Sequence, residues 1–233
     1  MKKVFIPIGG GEIRNKTTAP IDEYIANLAK SRITDGRRGY ALFFPTASFD
    51  SNPYFNSFRK TYTSLFDMKS DVALLTKGVM SVEHILEKIE KADVIYVGGG
   101  DTLHLMQVWR ETGIDRAVWA AYERGAVLAG LSAGAICWFD DIYTDSLVPG
   151  EYMPYNGFGK FRGFATPHYD HRTEFDEVFR REGHPFAYAM EDNSALVFED
   201  GTLTGALSAG GNAYLLRLEG ENIRKEQIAL LNQ

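Results

Sequence analysis

The chain has 233 residues, of which 45% are hydrophobic and 24% are charged, and this composition excludes a disordered protein. The net charge of −6 argues against a nucleic-acid binder that depends on phosphate contacts. A single cysteine, Cys137, excludes an internal disulfide. The length predicts one domain spanning residues 1–233. Glycine is the unusual count, with 23 residues, several of them in clusters.

No apolar stretch in the sequence is long enough for a membrane span or a signal peptide. The longest uncharged stretch, residues 125–139, has 15 residues and is interrupted by glycines, whereas a spanning helix needs roughly 18. We therefore expect a cytoplasmic protein that binds neither membrane nor nucleic acid. A monomer or a small homo-oligomer is expected.

Apolar strands alternate with amphipathic helices through the first half of the chain. Strands are predicted at 3–8, 40–45, 71–75, 94–97 and 126–129, and helices around 21–29, 82–89, 101–109 and 115–125. Strands that are wholly apolar between such helices indicate an α/β fold, with a doubly wound, mostly parallel sheet covered by helices on both faces. Binding sites in such folds form beyond the carboxyl ends of the strands. Glycine-rich turns follow three of these strands, at Gly9–Gly11, at Gly98–Gly100 and around Ser132.

The pattern changes near residue 194. Two short apolar runs, 195–198 and 202–204, flank an Asp-Gly turn and predict a β-hairpin. Residues 214–218 predict one more strand. We expect these strands to extend the same sheet in antiparallel fashion at its C-terminal end.

Ser132 is the candidate nucleophile. It is the central residue of Gly130-Leu131-Ser132-Ala133-Gly134, a G-x-S-x-G sequence between an apolar strand and a predicted helix. A sharp strand-to-helix turn exposes the central side chain and leaves backbone N–H groups free for a developing oxyanion. The alternative is a serine that only caps the helix.

A serine nucleophile needs a base and an acid that orients it. His168 follows an apolar strand, 161–165, and is favoured over His171, which is expected to begin the next helix. The other three histidines, His84, His104 and His184, lie on predicted helices or in a turn. The sequence pattern leaves the acid open among Asp140, Asp141, Asp145, Asp170 and Glu191.

Three motifs in this order resemble the peptidase E family of serine peptidases, which includes aspartyl dipeptidase and cyanophycinase. They are Gly98-Gly99-Gly100-Asp101-Thr102, Gly130-Leu131-Ser132-Ala133-Gly134-Ala135 and Thr166-Pro167-His168-Tyr169. The resemblance implies a glutamine-amidotransferase-like fold and a Ser-His-Glu triad of Ser132, His168 and Glu191. It also implies an oxyanion hole with donors from Gly99 or Gly100 and from Ala133.

The sequence departs from the family pattern at Asp101, where asparagine is common, although an aspartate can still cap the following helix. Arg162, Arg172 and Tyr169 flank the histidine loop and are candidate substrate-binding residues, the arginines for a carboxylate. Gly9–Gly11 has no assigned task beyond a possible wall of the site. Cys137 is expected to be a small core residue.

The leading hypothesis is a peptidase of small peptides, dipeptidase-like and with a possible preference for an N-terminal Asp. The alternatives are a hydrolase of the β-aspartyl-arginine polymer cyanophycin and a non-catalytic nucleotide-binding or regulatory module. The glycine turns lack the G-x-G-x-x-G and P-loop patterns that phosphate binding would need. No metal and no organic cofactor is predicted, since His168-x-x-His171 alone is too sparse for a metal site.

Overall fold

The structure, a computed structural model, describes residues 1–148 and 150–231. The strands are β1 (Val4–Ile8), β2 (Tyr40–Phe44), β3 (Lys69–Val72), β4 (Val94–Val97), β5 (Val127–Leu131), β6 (Phe139–Val148), β7 (Glu151–Asn156), β8 (Phe161–Thr166), β9 (Phe186–Met190), β10 (Ser194–Glu199), β11 (Thr202–Ser208), β12 (Ala213–Glu219) and β13 (Asn222–Gln227). The helices are α1 (Ala19–Ser31), α2 (Asn52–Ser64), α3 (Val82–Lys91), α4 (Thr102–Thr112), α5 (Ile114–Arg124), α6 (Ala133–Ile136) and α7 (Phe175–Glu182), with 3-10 turns at Thr46–Ser48 and Tyr169–His171.

The larger sheet has seven strands in the order β11-β10-β1-β5-β4-β2-β3. Its last five strands in this order are mutually parallel, and the hairpin of β10 and β11 joins β1 in antiparallel fashion. The predicted α/β class and the antiparallel extension are confirmed. The carboxyl ends of β1, β4 and β5 meet at one edge, which brings the three glycine-rich turns together.

A second sheet of six strands, in the order β13-β12-β9-β8-β6-β7, was not indicated by the sequence. The helix expected after Ser132 ends at Ile136, because Phe139 already begins β6, which pairs with β7 and β8. The strand predicted at 214–218 lies in β12, which pairs with β9 in the second sheet instead of extending the first. Among the helices of the described ranges, none is both long and apolar enough to cross a bilayer.

An aromatic cluster packs the two sheets against each other. Phe5 of β1 stacks on Phe161 of β8 with ring centroids 4.5 Å apart, and Phe139 lies 5.9 Å from Phe198 of β10. All four rings are buried, so their burial contributes several kcal/mol by the usual ~1.5–3 kcal/mol per large apolar side chain. This packing places the ends of β8 and β9 beside the ends of β1 and β5.

Helix α1 buries a carboxylic acid, Asp22, against the larger sheet. Asp22 is fully buried and accepts hydrogen bonds from the hydroxyls of Thr18 at 2.7 Å and Tyr62 at 3.1 Å. Burial disfavours the carboxylate and raises the pKa of Asp22 from its usual 3.8 to about 7, against the opposing effect of the two hydrogen bonds. Between about pH 4 and pH 7, the folded protein therefore keeps a proton on Asp22 that the unfolded chain releases.

We expect Asp22 to make the protein less stable as the pH rises from about 4 to about 7. Across this window the folded state binds the proton more tightly than the unfolded state, so the free energy of unfolding falls by on the order of 4 kcal/mol. Urea denaturation of wild type and Asp22→Asn at pH 5 and pH 8 measures this effect. The wild type should lose more stability between the two pH values than the variant, and equal losses would contradict the role of Asp22.

Candidate active site

Ser132 lies on a tight turn between β5 and α6. Its φ of +51° is in the left-handed region, which a serine adopts only when its surroundings impose it. The Ser132 N–H donates to the Ile8 carbonyl at 2.9 Å, tying the turn to the end of β1. A side chain at Gly130 would overlap the Gly134 carbonyl, so the turn can close this tightly only with glycine there. The turn therefore presents the serine side chain at the edge where the strand ends meet.

A hydrogen-bonded chain of three side chains starts at Ser132. The Oγ of Ser132 is 2.8 Å from Nε2 of His168, and Nδ1 of His168 is 2.5 Å from Oδ1 of Asp192. The side chains of His168 and Asp192 are about one-third exposed, so solvent reaches them. With the proton of the imidazole on Nδ1, Nε2 is free to accept the serine proton. The geometry places the candidate nucleophile and base in hydrogen-bond contact, with a carboxylate on the far side of the base.

Glu191, the acid expected from the family resemblance, does not contact His168. Its carboxylate accepts hydrogen bonds from the backbone and side chain of Asn212, at 2.8 and 3.1 Å, and from the Tyr214 hydroxyl at 3.1 Å. Successive side chains project to opposite sides where a chain leaves a strand, so Glu191 faces β12 and Asp192 faces His168. The placement of Glu191 beside the histidine was wrong by one position. The sequence did offer a signal for Asp192, because two adjacent acids, Glu191 and Asp192, follow β9 and either could have been the acid.

The Gly9–Gly11 turn after β1, which had no assigned task, aligns the histidine and the aspartate. The Gly9 carbonyl accepts the backbone N–H of His168 at 3.0 Å, and the Gly10 carbonyl accepts that of Asn193 at 3.1 Å. A side chain at Gly10 would overlap both the Asp192 carboxylate and the His168 ring. This position therefore requires glycine so that the two side chains can meet above it.

The backbone N–H groups of two predicted oxyanion donors, Ala133 and Gly100, have no acceptor within residues 1–148 and 150–231. Ala133 is the first residue of α6, where an N–H has no partner within its own helix. Gly100 has a φ of +138°, and a side chain there would overlap the Ala47 carbonyl. The Asp101 carboxylate accepts the His104 N–H at 2.9 Å, which confirms that Asp101 caps α4 as expected.

The third predicted donor, Gly99, is already paired. Its N–H donates to the Tyr54 hydroxyl at 3.2 Å, although Gly99 lies against Ser132. Burial raises the pKa of Tyr54 to about 12, so the phenol remains protonated at neutral pH. Of the three predicted oxyanion donors, Gly100 and Ala133 are therefore the two whose N–H groups have no acceptor in the described residues.

The sequence model of peptidase family S51 matches residues 5–205. This chain belongs to peptidase family S51. It is therefore a serine-type peptidase, a hydrolase. The resemblance to the peptidase E group that the three motifs indicated is confirmed by this match.

Two relatives agree with this assignment, and one solved structure shares the fold. The chain is 32% identical over 229 residues to uncharacterized peptidase YgaJ of Bacillus subtilis, covering 96% of this chain and 95% of that one. It is 31% identical to Peptidase E of Salmonella typhi over 161 residues, 64% of this chain and 65% of the relative. The crystal structure of a peptidase from an acI-B1 Actinobacterium superposes with a TM-score of 0.71 at 18% identity, covering 99% and 95% of the two chains, and supports the fold alone.

Two predicted substrate-binding residues, Arg162 and Tyr169, make no hydrogen bond to Ser132 or His168 within the described residues. Arg162 is exposed at the start of β8, and roughly 13 Å of strand separates it from the end that precedes His168. Tyr169 donates its hydroxyl to Asp176 at 2.9 Å, and the Lys225 ammonium lies 4.4 Å from its ring centre. Arg162 was misplaced because residues at the two ends of one strand face opposite edges of the sheet.

Arg172, the third predicted substrate-binding residue, is buried, with an exposed fraction of 5%. Its guanidinium lies 4.3 Å from the ring centre of Tyr152, and its Nη1 donates to the Tyr143 carbonyl at 2.5 Å. Burial lowers the pKa of Arg172. These contacts hold β6, β7 and the histidine loop together, so a structural role accounts for Arg172 in the peptidase.

A cavity of about 270 Å³ is lined by residues next to those that contact the triad, although Ser132, His168 and Asp192 do not line it themselves. Tyr54, whose hydroxyl reaches Gly99, forms one wall, and Gly11, next to the glycine beneath His168, forms another. The remaining lining residues are Glu12, Ile13, Arg14, Pro53 and Ser57. A larger cavity of about 640 Å³, lined by Tyr40, Lys69 and Asp93, lies at the opposite ends of the strands and does not reach Ser132.

Cys137 is fully buried, as expected of a core residue.

Proposed function

We propose that this peptidase hydrolyses small peptides, with dipeptides as its main substrates, through a Ser132–His168–Asp192 triad. The observation that carries the proposal is the chain of hydrogen bonds from Ser132 Oγ through His168 to Asp192. Such a chain activates a serine that is otherwise a weak nucleophile. Membership of a peptidase family favours hydrolysis over the nucleotide-binding alternative.

In the proposed mechanism, Ser132 Oγ attacks the scissile carbonyl carbon and its proton passes to His168 Nε2. Asp192 stabilises the imidazolium that forms. The N–H groups of Ala133 and Gly100 bind the oxyanion of the tetrahedral intermediate. The C–N bond then breaks, the leaving amine takes the proton from His168, and an acyl-enzyme remains on Ser132. Water, deprotonated by His168, releases the acid product and restores the serine.

The cavity lined by Gly11 and Tyr54 supports a preference for small substrates. Its volume of about 270 Å³ is below the range of roughly 300–1,000 Å³ that is typical of drug-sized ligands, so it suits one or two amino-acid residues. Glu12 and Arg14 at its rim carry opposite charges, and Arg14 makes no ion pair or hydrogen bond within the residues that the structure covers. A zwitterionic dipeptide offers an ammonium and a carboxylate that match these charges.

We expect a fluorophosphonate probe to label the wild-type protein on Ser132, as located by peptide mass mapping. A dipeptide panel that includes Asp-X substrates and the β-aspartyl-arginine polymer then identifies the substrate class. Free dipeptides should be cleaved faster than the same sequences with an acetylated amine or an amidated carboxylate. Labelling at another residue, or faster cleavage of the polymer than of any dipeptide, would contradict the proposal.

A further inference from the structure

Three metal-ligating side chains lie next to the triad: Asp170, His171 and Asp192. Nε2 of His171 is 3.3 Å from Oδ2 of Asp170 and 3.7 Å from Oδ2 of Asp192, and all three ligand atoms lie within 4.8 Å of one another. Ligand atoms bound to one tetrahedral Zn²⁺ at 2.0–2.1 Å are roughly 3.3 Å apart. Two of the three separations already approach this value, and a small rotation of the exposed Asp170 carboxylate shortens the third, which is between the two aspartates.

The backbone and the other carboxylate oxygens hold this cluster in place. Oδ1 of Asp170 accepts the backbone N–H of Asp192 at 3.0 Å, and Oδ1 of Asp192 contacts His168, so each carboxylate has its second oxygen, Oδ2, directed to His171. The 3-10 turn fixes His171 through its backbone N–H, which donates to the His168 carbonyl at 2.9 Å. Contacts of this kind orient metal ligands before the metal arrives.

We propose that Asp170, His171 and Asp192 bind Zn²⁺ and that the bound ion inhibits the peptidase. One imidazole and two carboxylates suit a borderline-soft ion such as Zn²⁺, whereas Mg²⁺ prefers oxygen ligands alone. The fourth position is left to water or to substrate. The sequence pattern concealed this site because Asp192 lies some twenty residues after the other two ligands.

Inhibition follows because Asp192 belongs both to the metal site and to the triad, and it rests on the proposed triad. Asp192 stabilises the imidazolium of His168 with its negative charge, and Zn²⁺ on Oδ2 withdraws that charge from Oδ1. The ion also places a positive charge near the imidazolium that must form. Both effects raise the barrier to serine attack, so kcat should fall at least tenfold when the site is filled.

Calorimetric titration of the EDTA-treated protein with Zn²⁺ tests binding without reference to activity. We expect one site in wild type, at least tenfold weaker binding in His171→Ala, and weaker binding in Asp170→Asn, whose amide oxygen can still accept the Asp192 N–H. His84→Ala is the matched control, because exposed His84 has one carboxylate within 4 Å among the described residues, that of Glu87 at 3.8 Å. It should bind Zn²⁺ as wild type does. No binding by wild type, or equal binding by His171→Ala, would overturn the site.

The inhibitory effect is measured separately, by dipeptide hydrolysis and fluorophosphonate labelling with and without Zn²⁺. Each variant is compared with its own EDTA-treated value. Zn²⁺ should slow both reactions in wild type and His84→Ala but not in His171→Ala, and the same concentration of Mg²⁺ should slow neither. Tight Zn²⁺ binding without slower labelling overturns inhibition and leaves the site standing. An inactive wild type that still binds Zn²⁺ through His171 would instead count against the proposed peptidase mechanism.

Discussion

Replacing Ser132 by alanine is expected to abolish fluorophosphonate labelling and to lower kcat for the best dipeptide by roughly 10⁴-fold or more. The alanine removes the oxygen that forms the acyl-enzyme, and removal of a serine nucleophile costs up to about 10⁶-fold in well-studied triads. Circular dichroism should be unchanged, because the strained turn is held by Gly130 and by the Ser132 backbone bond to Ile8. KM should change little, since the hydroxyl makes its main contribution in the transition state.

Cys137→Ala serves as the control for this experiment. Cys137 is the other nucleophilic side chain near the serine turn, and burial raises its pKa, which leaves it an uncharged thiol. Its variant should retain labelling and most of the activity, with a modest loss of stability. Full activity in Ser132→Ala would exclude the acyl-enzyme mechanism.

Asp192→Asn is expected to lower kcat by roughly 10³- to 10⁴-fold, whereas Glu191→Gln should retain most of the wild-type rate. An amide at position 192 can donate to Nδ1 of His168 and so force the proton onto Nε2, where it blocks attack by the serine. Glu191 is bonded to Asn212 and Tyr214, so its substitution should lower the free energy of unfolding by about 1–2 kcal/mol instead.

Steady-state kinetics and urea denaturation of both variants separate these two roles. Asp192→Asn should unfold at nearly the wild-type urea concentration, because its side chain is partly exposed and the asparagine has nearly the same shape. A large loss of kcat in Glu191→Gln at unchanged stability would show that the acid expected from the family resemblance acts in catalysis after all.

The parallel part of the fold could be predicted because its strands are buried on both faces. β1, β2, β4 and β5 are fully buried and appear as continuous apolar runs with a glycine or proline near the carboxyl end of each. The second sheet lacks this signal. β13 is largely exposed and polar, and β6 begins within residues whose apolar side chains fit one more helical turn. These strands form because their partners lie beside them in the folded chain, which local patterns do not encode.

The same limit applies to the candidate site. Ser132 and His168 follow buried strands and are flanked by glycine or proline, so local sequence predicted their positions. Choosing between Glu191 and Asp192 required the direction in which the chain leaves β9, and that direction is fixed by pairing with β12 and the bonds to Asn212. The structural role of Gly9–Gly11 could not be predicted for the same reason, because it consists of contacts with residues that are distant in sequence.

The glycine turn after β1 also determines when the protein can become active during its synthesis. Gly9 and Gly10 are made long before the residues they contact, yet their carbonyls accept the N–H groups of His168 and Asn193, and the Gly9 N–H donates to the Ser194 carbonyl. Contacts between such distant residues form late, because the intervening chain must first close into a loop. A growing chain that has not yet added β10 holds Ser132 without an aligned base and acid. Hydrolytic activity should therefore appear only after β10 has been made and has paired with β1.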